Sequence, residues 1–112
     1  MQPVKRGDVW WVTFDASVGG EVQKTRPAVV ISNNAANGAL NRVVVVPLTS
    51  NTAKVYPGEA VINVGGKPAK AMADQIATAS KQRLSNRMDG LASADMRKVE
   101  DAILLHLAIH RV

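Results

Sequence analysis

The sequence predicts a mainly β fold, a small antiparallel barrel of SH3 type closed by one C-terminal α-helix. Three observations carry that expectation. Short runs rich in Val, Ile, Trp and Phe recur along the chain, separated by Gly-, Pro- and Asn-rich turn signals. Consecutive valines from Val43 to Val46 describe a strand buried on both faces. Only the C-terminal segment changes to helical spacing of its apolar residues.

Taken in order, residues 7–14 (Gly-Asp-Val-Trp-Trp-Val-Thr-Phe) suit a pleated, half-buried strand. Residues 15–25 hold Gly19-Gly20 and no apolar period, so they read as a long loop. Arg26-Pro27 opens the run 28–32, short enough for a strand, with Pro27 at its first position where a missing N–H does least harm. Residues 33–41 read as a loop with one helical turn, 42–48 as the strongest strand, and 49–54 as a polar loop. Short strands are expected at 59–64 and 69–73 around a Gly65-Gly66-Lys67-Pro68 turn, and 74–79 continues toward another. Ser93 stands as the N-cap of a helix over 94–109 with Asp95 in its first turn. Met96, Val99, Ile103 and Leu107, beside Ala102 and Leu104, follow helical spacing. The last turns, 103–109, are apolar nearly all round, more than one packed face needs, which predicts a homodimer.

At 112 residues the chain is expected to form one domain. The absence of cysteine removes disulfides and thiolate metal sites and fits a reducing cytoplasmic compartment. Residues 1–8 carry charge where a secretion signal would be apolar. The longest apolar stretch, 43–48, is far below the about 20 residues that span a bilayer, so a soluble chain with no membrane partner is expected. A net charge of +5 favours anionic partners, nucleic acid first. From Lys67 to Arg87 the basic residues Lys67, Lys70, Lys81, Arg83 and Arg87 face one acid, Asp74. Together they could form a positive face for a phosphate backbone; singly, each could be an ordinary solvated charge.

The usual catalytic devices are missing. His106 and His110 stand at helical i, i+4 spacing, but no Glu lies between them and no further ligand cluster accompanies them. Interaction with a helix C-terminus accounts for both. There is no Gly-rich phosphate or dinucleotide loop, so no cofactor is expected. What remains is a set of polar residues at strand ends: Glu21, Arg26, Thr49, Ser50, Asp74 and Gln75.

Arg6-Gly7-Asp8-Val9-Trp10-Trp11-Val12, then Gly19-Gly20-Glu21, Thr25-Arg26-Pro27-Ala28-Val29-Val30-Ile31-Ser32 and Pro47-Leu48-Thr49-Ser50 occur in order, followed by Asp74-Gln75 and Lys81-Gln82-Arg83-Leu84. This series resembles the MazF/PemK (Kid) toxins of bacterial toxin–antitoxin pairs along essentially the whole chain. The resemblance implies an SH3-like barrel, a homodimer, an acidic MazE-like antitoxin partner, and sequence-specific, metal-independent cleavage of single-stranded RNA. It maps the family's catalytic Arg onto Arg26, its active-site hydroxyl onto Thr49, its loop acid onto Glu21, and its acid–Gln pair onto Asp74 and Gln75. One departure matters: the Kid branch has an Arg two residues before the Asp, where this chain has Met72. A mechanism needing that second Arg is unsupported, which weakens the case for Asp74 as general base without removing it.

The chemistry can be argued independently. A ribose 2′-OH attacking its neighbouring phosphorus gives a 2′,3′-cyclic phosphate and a 5′-OH, through a transition state rich in negative charge. Arg26 offers a planar fork of donors for those oxygens, and Thr49 a hydroxyl donor. Glu21 or Asp74 could accept a proton, since a guanidinium stays protonated and is a poor base. Arg26 pairing with an acid, or Thr49 capping a turn, are the structural alternatives. Loops 15–25 and 49–54 are expected to frame a groove, with Thr25 and Ser50 in it and Lys24, Lys54, Lys81, Arg83 and Arg87 on phosphates. Trp10 and Trp11 point to opposite faces of a strand, so at most one can stack a base. The competing readings are a gyrase poison of the CcdB type, although the chain ends His110-Arg111-Val112 without the expected tail tryptophan, and a nucleic-acid-binding barrel without activity.

Overall fold

A computed structural model of the chain describes residues 2–15, 18–21 and 24–110. The strands are β1 (Asp8–Phe14), β2 (Lys24–Val30), β3 (Arg42–Thr49), β4 (Glu59–Val64), β5 (Lys67–Met72), β6 (Ala77–Ser80) and β7 (Leu84–Gly90). Helix α1 (Asn34–Ala39) links β2 to β3, and α2 (Ser93–His106) ends the fold. Short 3-10 turns at Ala73–Gln75 and Lys81–Arg83 flank β6.

All pairings are antiparallel, in the order β4-β5-β3-β2-β1-β7, with β6 added to β3. Strand β3 is the branch point. Its first half, Arg42 to Val45, pairs with β6, and its end, Leu48-Thr49, pairs with Ala71 and Lys70 of β5. Pro47 is fully buried between these two ladders, at the position where a missing N–H interrupts neither. Among the described residues no pairing joins β4 to β7, so the expected small antiparallel barrel is a strongly curled sheet that does not close.

The curled sheet has a core on each face. Trp10, Val12, Ala28, Val30, Val43 and Val45 pack on one side with Leu84 and Ala79. Val9, Val29, Val46, Leu48, Ile62 and Val64 pack on the other, where Met96 and Val99 of α2 cover them. Alternate residues of β2 and β3 therefore enter different cores, which is why neither strand shows a polar face.

Several boundaries differ from the sequence expectation, each for a physical reason. Strand β2 begins at Lys24, so Pro27 lies inside it; pairing with β3 starts only at Ala28, leaving residues 24–27 paired to β1 alone. An edge tolerates proline. Gly65 and Gly66 both have positive φ (+58° and +82°), so a two-residue turn suffices and Lys67-Pro68 already belong to β5. Residues 74–79 are first a 3-10 turn and only then β6. Strand β7 had no sequence signal at all: of its residues only Leu84 is buried, and its extended form comes from the ladder with β1. Helix α2 starts at Ser93 itself, with no side-chain cap, and stops at His106 instead of 109. Its stop is a Schellman turn: Ala108 takes φ +56°, its N–H reaches Leu105 O, and the Ile109 N–H reaches Leu104 O.

Candidate active-site groove

A groove of about 410 Å³ opens where the half of β2 that pairs with β1 alone meets the end of β3 and the β4–β5 hairpin. Lys24, Thr25, Arg26 and Pro27 form one wall. Leu48, Thr49 and Ser50 form its end, and Val64, Lys67, Pro68 and Ala69 the hairpin side. Trp11 of β1 and Met88 of β7 complete it. Strand topology explains the opening: β3 leaves β2 after the Ala28–Pro47 pair to join β5, and the divergence exposes both strand ends.

Arg26 and Thr49 thus line one concavity, though they lie on different strands and far apart in sequence. The Thr49 hydroxyl accepts the Asn51 N–H at 3.3 Å, a turn contact that orients the oxygen and leaves the hydroxyl hydrogen to be donated. Lys24, at the rim, has φ +68°, a conformation costly for a lysine and typical of segments held by their surroundings. Thr25 shares a hydroxyl contact of 3.1 Å with Thr13. Lys24, Arg26 and Lys67 give the groove three cations, and among the described residues no acid lines it. Such a surface selects anions.

The other sequence candidates lie elsewhere. Glu21 is exposed in a turn whose N–H reaches Val18 O, and Asp74 is exposed in a 3-10 turn; neither lines the groove. Gln75 Nε2 donates to Gly20 O at 3.1 Å and so ties that loop to the 3-10 turn. Lys54 is exposed, and its carbonyl accepts Lys70 Nζ at 2.9 Å. Lys81 donates to the Asn37 carbonyl of α1. Arg83 grips Asp15 with two bonds, at 3.0 and 2.8 Å, and also reaches Thr13 O. That hydrogen bonding, reinforced by the charge attraction, holds the Asp15 carboxyl below the usual carboxylate range. Arg87 pairs with Asp8 at 3.1 Å. The basic segment 67–87 is therefore no continuous strip, because the turning chain distributes its charges over separate local partners.

Met72 is buried beside Gln75, in the core position its type suggests. Among the groove residues not chosen from the sequence as site residues are Trp11, Lys67 and Met88. Trp11 had a signal in the Trp-Trp pair, and Lys67 in the basic segment; Met88 had none. Among the described residues no group of three or more His, Cys, Asp or Glu is placed to hold a metal ion, and no helix is long and apolar enough to cross a membrane.

Residues 5–107 match the family described as PemK-like, MazF-like toxin of type II toxin–antitoxin system. The chain is 35% identical to Endoribonuclease MazF9 of Mycobacterium tuberculosis, over 93% of this chain and 96% of that protein. It is 31% identical to Endoribonuclease EndoA of Bacillus subtilis, over 95% and 96%. A solved mycobacterial endoribonuclease in complex with its cognate antitoxin superposes with a TM-score of 0.81 at 24% identity, covering 97% of this chain and 99% of that one.

Proposed function

The chain belongs to the PemK-like, MazF-like toxin family of type II toxin–antitoxin systems and is a MazF-type endoribonuclease; from that premise we propose that it cuts single-stranded RNA within the groove by attack of a ribose 2′-OH, without a metal ion. The observation that carries this reading is the meeting of Arg26 and Thr49 in one groove with the cations Lys24 and Lys67.

In the reaction the 2′-oxygen forms a bond to phosphorus as the P–O5′ bond breaks. The 2′-OH gives up its proton, the leaving 5′-oxygen takes one, and the products are a 2′,3′-cyclic phosphate and a 5′-OH. Arg26 offers two parallel N–H donors to the phosphorane oxygens, and Thr49 adds an O–H donor. Both act by neutralising developing charge; a guanidinium already carries its proton and so cannot serve as the proton acceptor. Glu21 keeps that role in this proposal, on the loop that leads to Lys24 at the rim, and Asp74 with Gln75 helps to shape that loop. Lys24, Thr25, Ser50 and Lys67 hold the backbone on either side of the scissile phosphate. Lys54, Lys81, Arg83 and Arg87 extend the positive field outside the groove.

An acidic antitoxin segment laid over the same cations would block them, a partner that the net charge of +5 favours; a solved mycobacterial relative is bound to its cognate antitoxin. The exposed Leu105, Leu107 and Ile109 at the end of α2 form the apolar surface on which a second copy would dock. Sedimentation of a species no larger than one chain at micromolar concentration would remove the dimer. The cytoplasm is the proposed site of action.

The test of the activity is incubation of the purified protein with long single-stranded RNA in EDTA. Wild type should release fragments with 5′-OH ends, and Arg26→Ala should not. Intact RNA from the wild type would refute the metal-independent reaction.

A further inference from the structure

Two tryptophans stand side by side in β1 and meet different fates. Trp10 is 1% exposed within the core, whereas Trp11 is 36% exposed and lines the groove. A large aromatic ring left open to water on a strand is unusual unless something covers it. The register places Trp11 opposite Pro27 and Val12 opposite Arg26. Trp11 and Arg26 thus stand one residue apart across the β1–β2 ladder, and both line the groove that opens at this strand end.

Strand β7 adds a second apolar group. Its pairing with β1 slips between Val9 and Trp10, which face Asp89 and Arg87, so Met88 has no opposite residue. A bulge of this kind re-aims a side chain, and Met88, 45% exposed, lines the same groove as Trp11. The hairpin contributes Pro68. One part of the groove is thus a cationic hydroxyl-bearing site around Arg26 and Thr49, and the adjoining part is aromatic and apolar.

We propose that Trp11 is the stacking platform for a nucleobase next to the scissile phosphate, with Met88 and Pro68 enclosing that base. The inference rests on RNA being the substrate. Phosphate contacts alone cannot distinguish one nucleotide from another, whereas an unstacked base must find a replacement surface, and an indole face supplies it. Trp11 is then a positioning residue, because holding the base in place fixes the ribose 2′-OH against the phosphorus that Arg26 and Thr49 face. Stacking tolerates every base, so the platform sets where the strand sits and its enclosure sets which bases fit.

The experiment uses a short single-stranded oligoribonucleotide whose ribose is 2′-O-methylated throughout, so that it binds without being cut. Since Trp10 is buried, quenching of the intrinsic tryptophan fluorescence on binding reports on Trp11. Wild type and Arg26→Ala should both be quenched, Trp11→Phe should lose the signal yet keep most of the affinity, and Trp11→Ala should bind on the order of tenfold more weakly. Oligonucleotides with a single abasic position, moved along the strand, should abolish quenching at one position only. Cleavage of unmodified RNA by Trp11→Ala should fall chiefly through a raised KM. If wild type cuts RNA while its fluorescence is unchanged, or if Trp11→Ala binds and cuts as wild type does, the platform is refuted and the nuclease reading stands. If wild type neither binds nor cuts single-stranded RNA, the nuclease reading falls and takes the platform with it.

Discussion

Lys70 and Glu59 form an ion pair of 3.3 Å with both side chains largely withdrawn from water, and Lys70 stands directly across the β3–β5 ladder from Thr49. The same ammonium donates to the Lys54 carbonyl at 2.9 Å, and Glu59 accepts the Tyr56 N–H at 2.8 Å. One buried charge pair therefore holds the 50–58 segment to the strand end that carries Thr49. Removing one partner of such a pair strands the other without compensation. Lys70→Ala should lose about 3 kcal/mol of stability in urea denaturation at fixed protein concentration. Lys70→Met with Glu59→Leu should recover much of it; a single variant as stable as wild type would show that the pair does not anchor the segment.

Thr49 offers the cleanest test of hydroxyl donation. Thr49→Ser keeps the O–H and should retain cleavage within a few-fold. Thr49→Val keeps the shape without the donor and should lower the cleavage rate on the order of 100-fold, as loss of an oxyanion donor does. The comparison is single-turnover cleavage of a fluorogenic RNA. Equal rates for the Val and Ser variants would reduce Thr49 to its turn contact with Asn51.

Asp89 pins the hairpin that brings Lys67 and Pro68 to the groove. Its carboxylate accepts the Gly65 N–H at 2.7 Å and the Gly90 N–H at 2.8 Å, and the first of these is the main cause of its lowered pKa. A carboxyl lowered in the folded state adds stability at pH above its unfolded value of about 3.9, and the contribution is lost as pH falls through the lower folded value. Asp15, lowered by Arg83, acts in the same direction. Stability should thus decline below about pH 4, and Asp89→Asn should be less stable than wild type at pH 7 with a flatter acid limb. Parallel stability curves for the two proteins from neutral pH down to acid would contradict this.

Ala108 ends α2 in the left-handed region, at φ +56°. An alanine there pays steric strain that glycine escapes, partly offset by the greater unfolded-state entropy of glycine. Ala108→Gly should stabilise the fold by about 0.5–1 kcal/mol, read as a raised denaturation midpoint. A lowered midpoint would mean that this turn is not the ground state in solution.

The sequence was legible wherever burial imposes a pattern on consecutive residues. The valines of β3 and the aromatic run of β1 announced strands because both of their faces meet apolar neighbours. Met96, Val99 and Ala102 announced α2 because one helical face lies on the sheet. Strand β7 was silent because a ladder partner, not a core, keeps it extended. Arg26 and Thr49 were legible through their motifs. Lys67 was lost in a basic run whose members look alike, and Met88 owes its place to a bulge that no local residue pattern encodes.

The amino-acid sequence by itself determined the mainly β character, the terminal helix and the cationic balance, because each depends on residue types and their local spacing; Arg26 and Thr49 were singled out by the family resemblance. Only the tertiary structure decided which charges face the groove, which of two adjacent tryptophans is open to a ligand, and that Glu21 and Asp74 stand outside the groove lining. Those outcomes depend on where β3 parts from β2 and on which acid happens to lie within reach of each base, and both are set by contacts between residues far apart along the chain.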